Sequence, residues 1–126
     1  MKKNETYKSL KYYQSLADAF HTGAADCVPV PLDIMKFKVS HNEFNIYCII
    51  INHFRFILPL YVSDIPHIET TIPDLSDEAA MTYMETEVAL QNLEKYHNLI
   101  EIDRQENKLS ICLLDITQVA SRKRGS

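Results

Sequence analysis

The chain is 126 residues long, the size of one ordinary domain, and its 46% apolar and 24% charged content suits a soluble protein with a real core. It has two glycines, Gly23 and Gly125, which excludes the glycine-rich loops that cradle phosphates and dinucleotides, so nucleotide enzymology is not expected. The net charge of −4 is uneven: residues 64–106 hold eleven acids against Lys95 and Arg104, residues 1–13 hold four lysines against Glu5, and residues 107–126 hold Lys108, Arg122, Lys123 and Arg124 against Asp115.

The opening Met1-Lys2-Lys3 leads into polar sequence, so no secretory leader is expected. Residues 5–21 read as an amphipathic helix, with Leu10, Tyr13, Ala17 and Phe20 at helical spacing and Gly23 just past its end. Tyr7, Tyr12, Tyr13 and Phe20 form an aromatic stripe that packs on its own domain or, with Tyr12 and Tyr13, on a second copy in a homodimer. Gly23–Lys38 reads as extended because Pro29 and Pro31 exclude regular helix. Ser40 and Glu43 spell a capping box, with Val39 and Phe44 as its hydrophobic staple. The helix they start runs to His53 or Arg55 and is apolar nearly all round through Ile46, Tyr47, Ile49, Ile50 and Ile51. Asn52, His53, Arg55 and Pro59 interrupt the apolar run 44–63, which favours a core helix followed by a strand over a membrane span.

Phe56–Val62 is β-prone, and residues 64–75, with Pro66 and Pro73, read as a loop. Helix resumes at Ser76, and Thr82 with Glu85 spells a second capping box and a restart. The helix over 84–97 is expected to bury Val88, Ala89, Leu93 and Tyr96. Leu99–Asp103 and Lys108–Leu114 alternate as a hairpin around a polar turn in which Asn107 can take a left-handed conformation. From Thr117 the basic tail reads as frayed, either a natural terminus or the end of one domain of a longer protein.

Three widely spaced cysteines, Cys27, Cys48 and Cys112, read as reduced thiols of a cytoplasmic protein. Cys48 and Cys112 lie in apolar runs that raise a thiol pKa, and Cys27 sits beside Asp26, so no catalytic cysteine is expected. No histidine pair has metal-ligand spacing: His67 with Glu69 is a solvated loop pair, and His41 and His53 flank the central helix. The carboxylates between 74 and 106 fit a solvated face better than an acid–base pair. Neither enzyme activity nor a cofactor nor a metal is expected.

The order helix, helix, short strand, short helix, helix, hairpin is the layout of a winged helix. The run Val88-Ala89-Leu90, Leu93-Glu94-Lys95, Leu99-Ile100-Glu101-Ile102 resembles the recognition-helix-to-wing junction of bacterial winged helices, with His97-Asn98 where those have glycine and a connection one residue longer. The run from Val28 to Ile34, followed by Val39 to Phe44, is similar to the opening of N-terminal domains in DnaD-like and phage or plasmid replication-initiation proteins. The resemblance implies an α+β fold, a winged helix with a three-helix core plus β-hairpin wing and an additional N-terminal helix. Residues 1–24 would be that helix, 25–116 the winged-helix domain and 117–126 the basic tail.

It also implies double-stranded DNA binding in replication initiation, mobile-element maintenance or transcription control. Thr86, Gln91, Asn92 and Lys95 on the reading helix, Arg104, Gln105, Asn107 and Lys108 in the wing, and Arg122, Lys123 and Arg124 in the tail would make the contacts. Against this, Glu85, Glu87 and Glu94 on the same helix would face a polyanion. The second expectation is therefore a protein-interaction winged helix that docks a basic partner, such as a replication or regulatory protein, through Glu85 and Glu87.

Overall fold

The computed structural model describes residues 5–23 and 26–124, with side chains through Arg122. The protein is α+β, with five α-helices and a three-stranded antiparallel sheet. Helix α1, Leu10–Thr22, starts later than the periodicity suggests because the Ser9 hydroxyl accepts the Tyr12 amide, while Glu5–Tyr7 forms a separate 3-10 turn. Gly23 closes it by bringing its N–H to Ala19, where a Cβ would lie 2.6 Å from the Ala19 carbonyl oxygen. The proline segment is extended except for a 3-10 turn, Leu32–Lys36, that begins directly after Pro31.

Helix α2, His41–Phe54, begins at Ser40 with both bonds of the capping box made. It buries Ile46, Tyr47, Ile50, Ile51 and Phe54 at the centre of the core. Tyr13, Leu16, Ala17 and Phe20 of α1 pack into that same core. The aromatic stripe of α1 is thus largely consumed inside the molecule. Tyr13 has no exposed surface, and burial pushes the Tyr12 hydroxyl, beside that of Tyr47, up to about 12. Tyr13 offers no outward dimer face, and Tyr12 is only partly exposed.

Phe56–Val62 is not a strand. It folds back over α1, where the Gln14 side-chain amide donates to the Leu60 carbonyl (2.8 Å) and accepts from the Val62 amide (2.8 Å). The first strand, β1 (Ile68–Thr70), lies instead in the expected loop, with Ile68 and Thr70 turned inward. Helix α3, Ile72–Ala79, likewise starts before Ser76. Thr71 caps it by accepting the Asp74 amide, and Pro73 occupies its first turn, where a missing N–H costs nothing. Helix α4, Tyr83–Gln91, restarts at the Thr82–Glu85 capping box, again with both bonds made.

A π turn, Asn92–Tyr96, continues α4. His97 N–H reaches back five residues to the Asn92 carbonyl (2.9 Å). Asn98 then takes the left-handed conformation (φ 57°) that glycine usually supplies, which an asparagine side chain tolerates. This accounts for the longer junction. Thr86, Ala89, Leu90 and Leu93 are buried, whereas Val88, which lies across α4 from them, and Tyr96, turned out by the π turn, are exposed although both are expected inside.

The wing is β2 (Ile100–Arg104) and β3 (Leu109–Leu113), paired antiparallel with Ile102 opposite Ile111. The sheet order β1-β3-β2 puts β3 in the middle. Asn107 does not enter the left-handed region; among the described non-glycine residues only Ala80 and Asn98 do. Residues 116–124 are helical rather than frayed: α5, Ile116–Arg124, buries Ile116, Val119 and Ala120, and the Asp115 carboxylate accepts the Thr117 amide. Residues from α1 to α5 therefore share one core.

β1 pairs with β3 only over Leu109–Ile111, so Leu113 has no strand partner on that side. The buried Tyr13 hydroxyl takes the strand's place, accepting the Leu113 N–H (2.6 Å) and donating to the Leu113 carbonyl (3.0 Å). Tyr13→Phe leaves both backbone groups buried without a partner, and urea unfolding should show a loss of about 2 kcal/mol. A loss under about 0.5 kcal/mol would show that the hydroxyl is dispensable to the sheet.

Candidate protein interface on α4 and the wing

Helix α4 packs against α2 and α3 on its inner side and meets β2 through the π turn. Its place in the fold decides which candidate side chains can reach a partner. Thr86 cannot. It is wholly buried, donating to the Thr82 carbonyl (2.9 Å) and accepting from the Ser76 hydroxyl (2.9 Å). This small residue is the buried polar link between α3 and α4, so it is withdrawn as a DNA contact.

Asn92 also turns inward. Its amide donates to Glu43 Oε2 (2.8 Å), while Glu43 Oε1 accepts the Ser40 N–H (3.0 Å) and lies 3.0 Å from His97 Nε2. Glu43 and His97 are both buried. This network pins the start of α2 to the end of α4. Burial alone would raise the Glu43 carboxyl, but the Ser40 amide, Asn92 and His97 outweigh it and hold the carboxyl below its ordinary value. Asn92 is thus a structural residue. The Phe37 and Tyr96 rings stand edge-on to the His97 imidazole.

The wing cations are engaged. The Arg104 guanidinium lies 3.3 Å from Glu87 and 3.8 Å from Glu94, so it spans from the wing back to two acids of the helix. Lys108 Nζ lies 3.0 Å from Glu69 on β1. Gln91 is exposed and donates to Glu87 (3.2 Å), and Lys95, Gln105 and Asn107 are exposed. Arg122 is exposed on α5, which packs on the two 3-10 turns. The side chains of Lys123 and Arg124 lie outside the described residues. The two described wing cations, Arg104 and Lys108, are thus each paired with carboxylates.

What the outer face of α4 presents is apolar and acidic. Met84 is 75% exposed and Val88 51% exposed, one helical turn apart. With Ala89, Glu85, Ser40 and Asn42 they line an open groove of about 380 Å3 between the starts of α2 and α4. The Glu85 carboxylate caps α4 by accepting the Thr82 N–H (2.9 Å), and these bonds hold its carboxyl below the ordinary value, so it stays ionised at neutral pH. Sequence periodicity assigned Val88 to the core, and no local signal marked Met84.

Burial raises the Cys48 thiol and pushes Cys112 up to about 11, while Cys27 is exposed beside Asp26. His53 pairs with Glu78 at 2.8 Å across α2 and α3. Among the described residues no group of three or more His, Cys, Asp or Glu could hold a metal ion, and no helix is long and apolar enough to cross a membrane. Compared with protein-family models, curated proteins and solved structures, the chain shows no match.

Proposed function

We propose that the protein is a winged-helix module that docks a basic protein segment through the outer face of α4, rather than a reader of DNA. The order of α2, β1, α3, α4 and the hairpin, with β3 central, is compatible with that fold. The observation that carries the reading is the exposed Met84–Val88 pair beside Glu85, on a helix whose neighbouring wing cation, Arg104, is held by Glu87 and Glu94. An exposed apolar pair with an acidic rim fits an amphipathic segment with lysines or arginines beside its apolar anchors. A phosphate backbone would meet carboxylates there instead.

The test is a pair of titrations of the whole chain. With a mixed-sequence DNA duplex at low salt, no mobility shift is expected. With an amphipathic lysine–leucine peptide, backbone amide resonances of Met84, Glu85 and Val88 should move, and Met84→Ser/Val88→Ser should abolish the effect. Duplex binding that weakens steeply with salt, or a peptide response elsewhere on the surface, would overturn the reading.

A further inference from the structure

A second exposed apolar surface lies away from α4, on the segment that follows α2. Phe56 is 79% and Tyr61 80% exposed, and Ile57 and Leu60 between them are about half exposed. The segment is held in place. Leu58 is buried in the core, and the Gln14 amide grips Leu60 and Val62 through their backbones. Arg55, the nearest cation in sequence, turns away: it donates to Asn52 (3.0 Å) and to the Cys27 carbonyl, and its guanidinium stacks 4.7 Å from the Phe20 ring centre. The surface is therefore ordered before anything binds it, which lowers the entropic cost of covering it.

We propose that Phe56–Tyr61 is a self-association surface, on which two copies of this chain meet patch to patch. Charge selects the occupant. Residues 56–63 carry no acidic or basic side chain, and α1, which holds the segment, contributes one lysine, Lys11, and one acid, Asp18. The chain as a whole carries −4, with eleven acids in 64–106. Two copies meeting through that acidic region would oppose like charges, whereas the segment 56–61 itself has no charge to oppose. A basic partner finds no counter-charge on this patch, and an isologous contact supplies each copy with an equally neutral apolar surface.

The area fits the same occupant. Two largely exposed aromatic side chains and two half-exposed aliphatic ones present on the order of 400 Å2. Facing another copy of the same patch, they would remove about 800 Å2 from water, less than a stable interface buries and in the range of weak, transient association. The dimer is accordingly reversible and concentration-dependent. It stands independently of the α4 reading, which uses a different face.

Sedimentation equilibrium of the full chain, from micromolar to near-millimolar concentration, tests this. A monomer–dimer equilibrium is expected. Phe56→Ser/Tyr61→Ser should weaken it at least about tenfold with no loss of folding stability, because both rings are mostly exposed. Met84→Ser/Val88→Ser should leave the dimer intact. A wild-type chain that stays monomeric throughout would overturn the proposal, as would a Phe56/Tyr61 variant that dimerises like wild type. Loss of the dimer in the Met84/Val88 variant would move self-association to α4 and equally overturn it. Binding of phosphatidylcholine vesicles that the Phe56/Tyr61 variant loses would assign the patch to lipid instead.

Discussion

Glu43→Ala is expected to cost about 3 kcal/mol of folding stability. The carboxylate serves three buried or half-buried donors at once: the Ser40 N–H at the start of α2, the Asn92 amide in the π turn, and His97 at its end. Removing it deletes half of a capping box, worth about 1 kcal/mol. It also strands the buried His97 ring, at about 1–3 kcal/mol before the site relaxes, and leaves the half-buried Asn92 amide without its partner. Against a total stability of about 5–15 kcal/mol for a domain, this is a large loss. Urea unfolding with an unchanged denaturant slope is the measurement. A loss below about 1 kcal/mol would mean that the α2–α4 junction is held by apolar packing alone.

The same residue gives stability a pH dependence of known sign. The Glu43 carboxyl titrates below its ordinary 4.5 in the folded protein. A carboxyl lowered by folding stabilises the fold above the unfolded value, and that contribution is lost as pH falls through the folded value. The gap in stability between wild type and Glu43→Ala should therefore hold steady at neutral pH and narrow on acidification below 4.5.

Glu87→Gln/Glu94→Gln is expected to raise DNA affinity above that of the wild type. Both acids contact the Arg104 guanidinium, and both glutamines are isosteric and uncharged. The substitution removes two negative charges from the region of α4 and frees one cation on the wing. Mixed-sequence duplex should then bind about tenfold more tightly at low salt, with a salt slope steeper by about one. Adding Arg104→Gln should remove most of the gain. A double variant that binds duplex no better than wild type would show that the acid–arginine clasp is not what keeps DNA off this face. Because these are partly exposed surface pairs, with 38% of the Arg104 side chain open to solvent, folding stability should change by about 1 kcal/mol or less.

Several elements could be read directly from residue order. The Ser40–Glu43 and Thr82–Glu85 capping boxes were legible because each is a pair of bonds within one helical turn. The hairpin was legible because Ile100, Ile102, Leu109 and Ile111 alternate over two full strands. β1 was not, since three residues between prolines carry too little alternation. Sheet pairing with β3, not local preference, makes Ile68–Thr70 a strand. Pro73 reads as a breaker in the sequence, but the first turn of a helix accepts proline.

The site was less legible than the fold. Val88 faces out because α2 and α3 pack on the opposite side of α4, while a straight α-helix through residue 97 would keep Tyr96 on the face of Ala89 and Leu93. The π turn adds a residue per turn at Asn92–Tyr96 and sends His97 inward instead. The basic residues of the wing were visible as charges, but their engagement with Glu87, Glu94 and Glu69 was not. Glu43 was recognised as half of a cap. Its second task, receiving Asn92 and His97, left no mark on its neighbours in sequence.

The sequence by itself determined the starts of α2 and α4, the hairpin and the acidic excess of the middle of the chain, because those depend on groups within a few residues of one another or on composition. Tertiary structure alone decided which side of α4 faces out, that its wing arginine is already occupied, and that Glu43 meets His97 across 54 residues of chain. The physical reason is the same in each case. Burial and ion pairing are relations between segments, and where a charge or a methionine ends up depends on how helices pack and where one of them gains an extra residue in its turn.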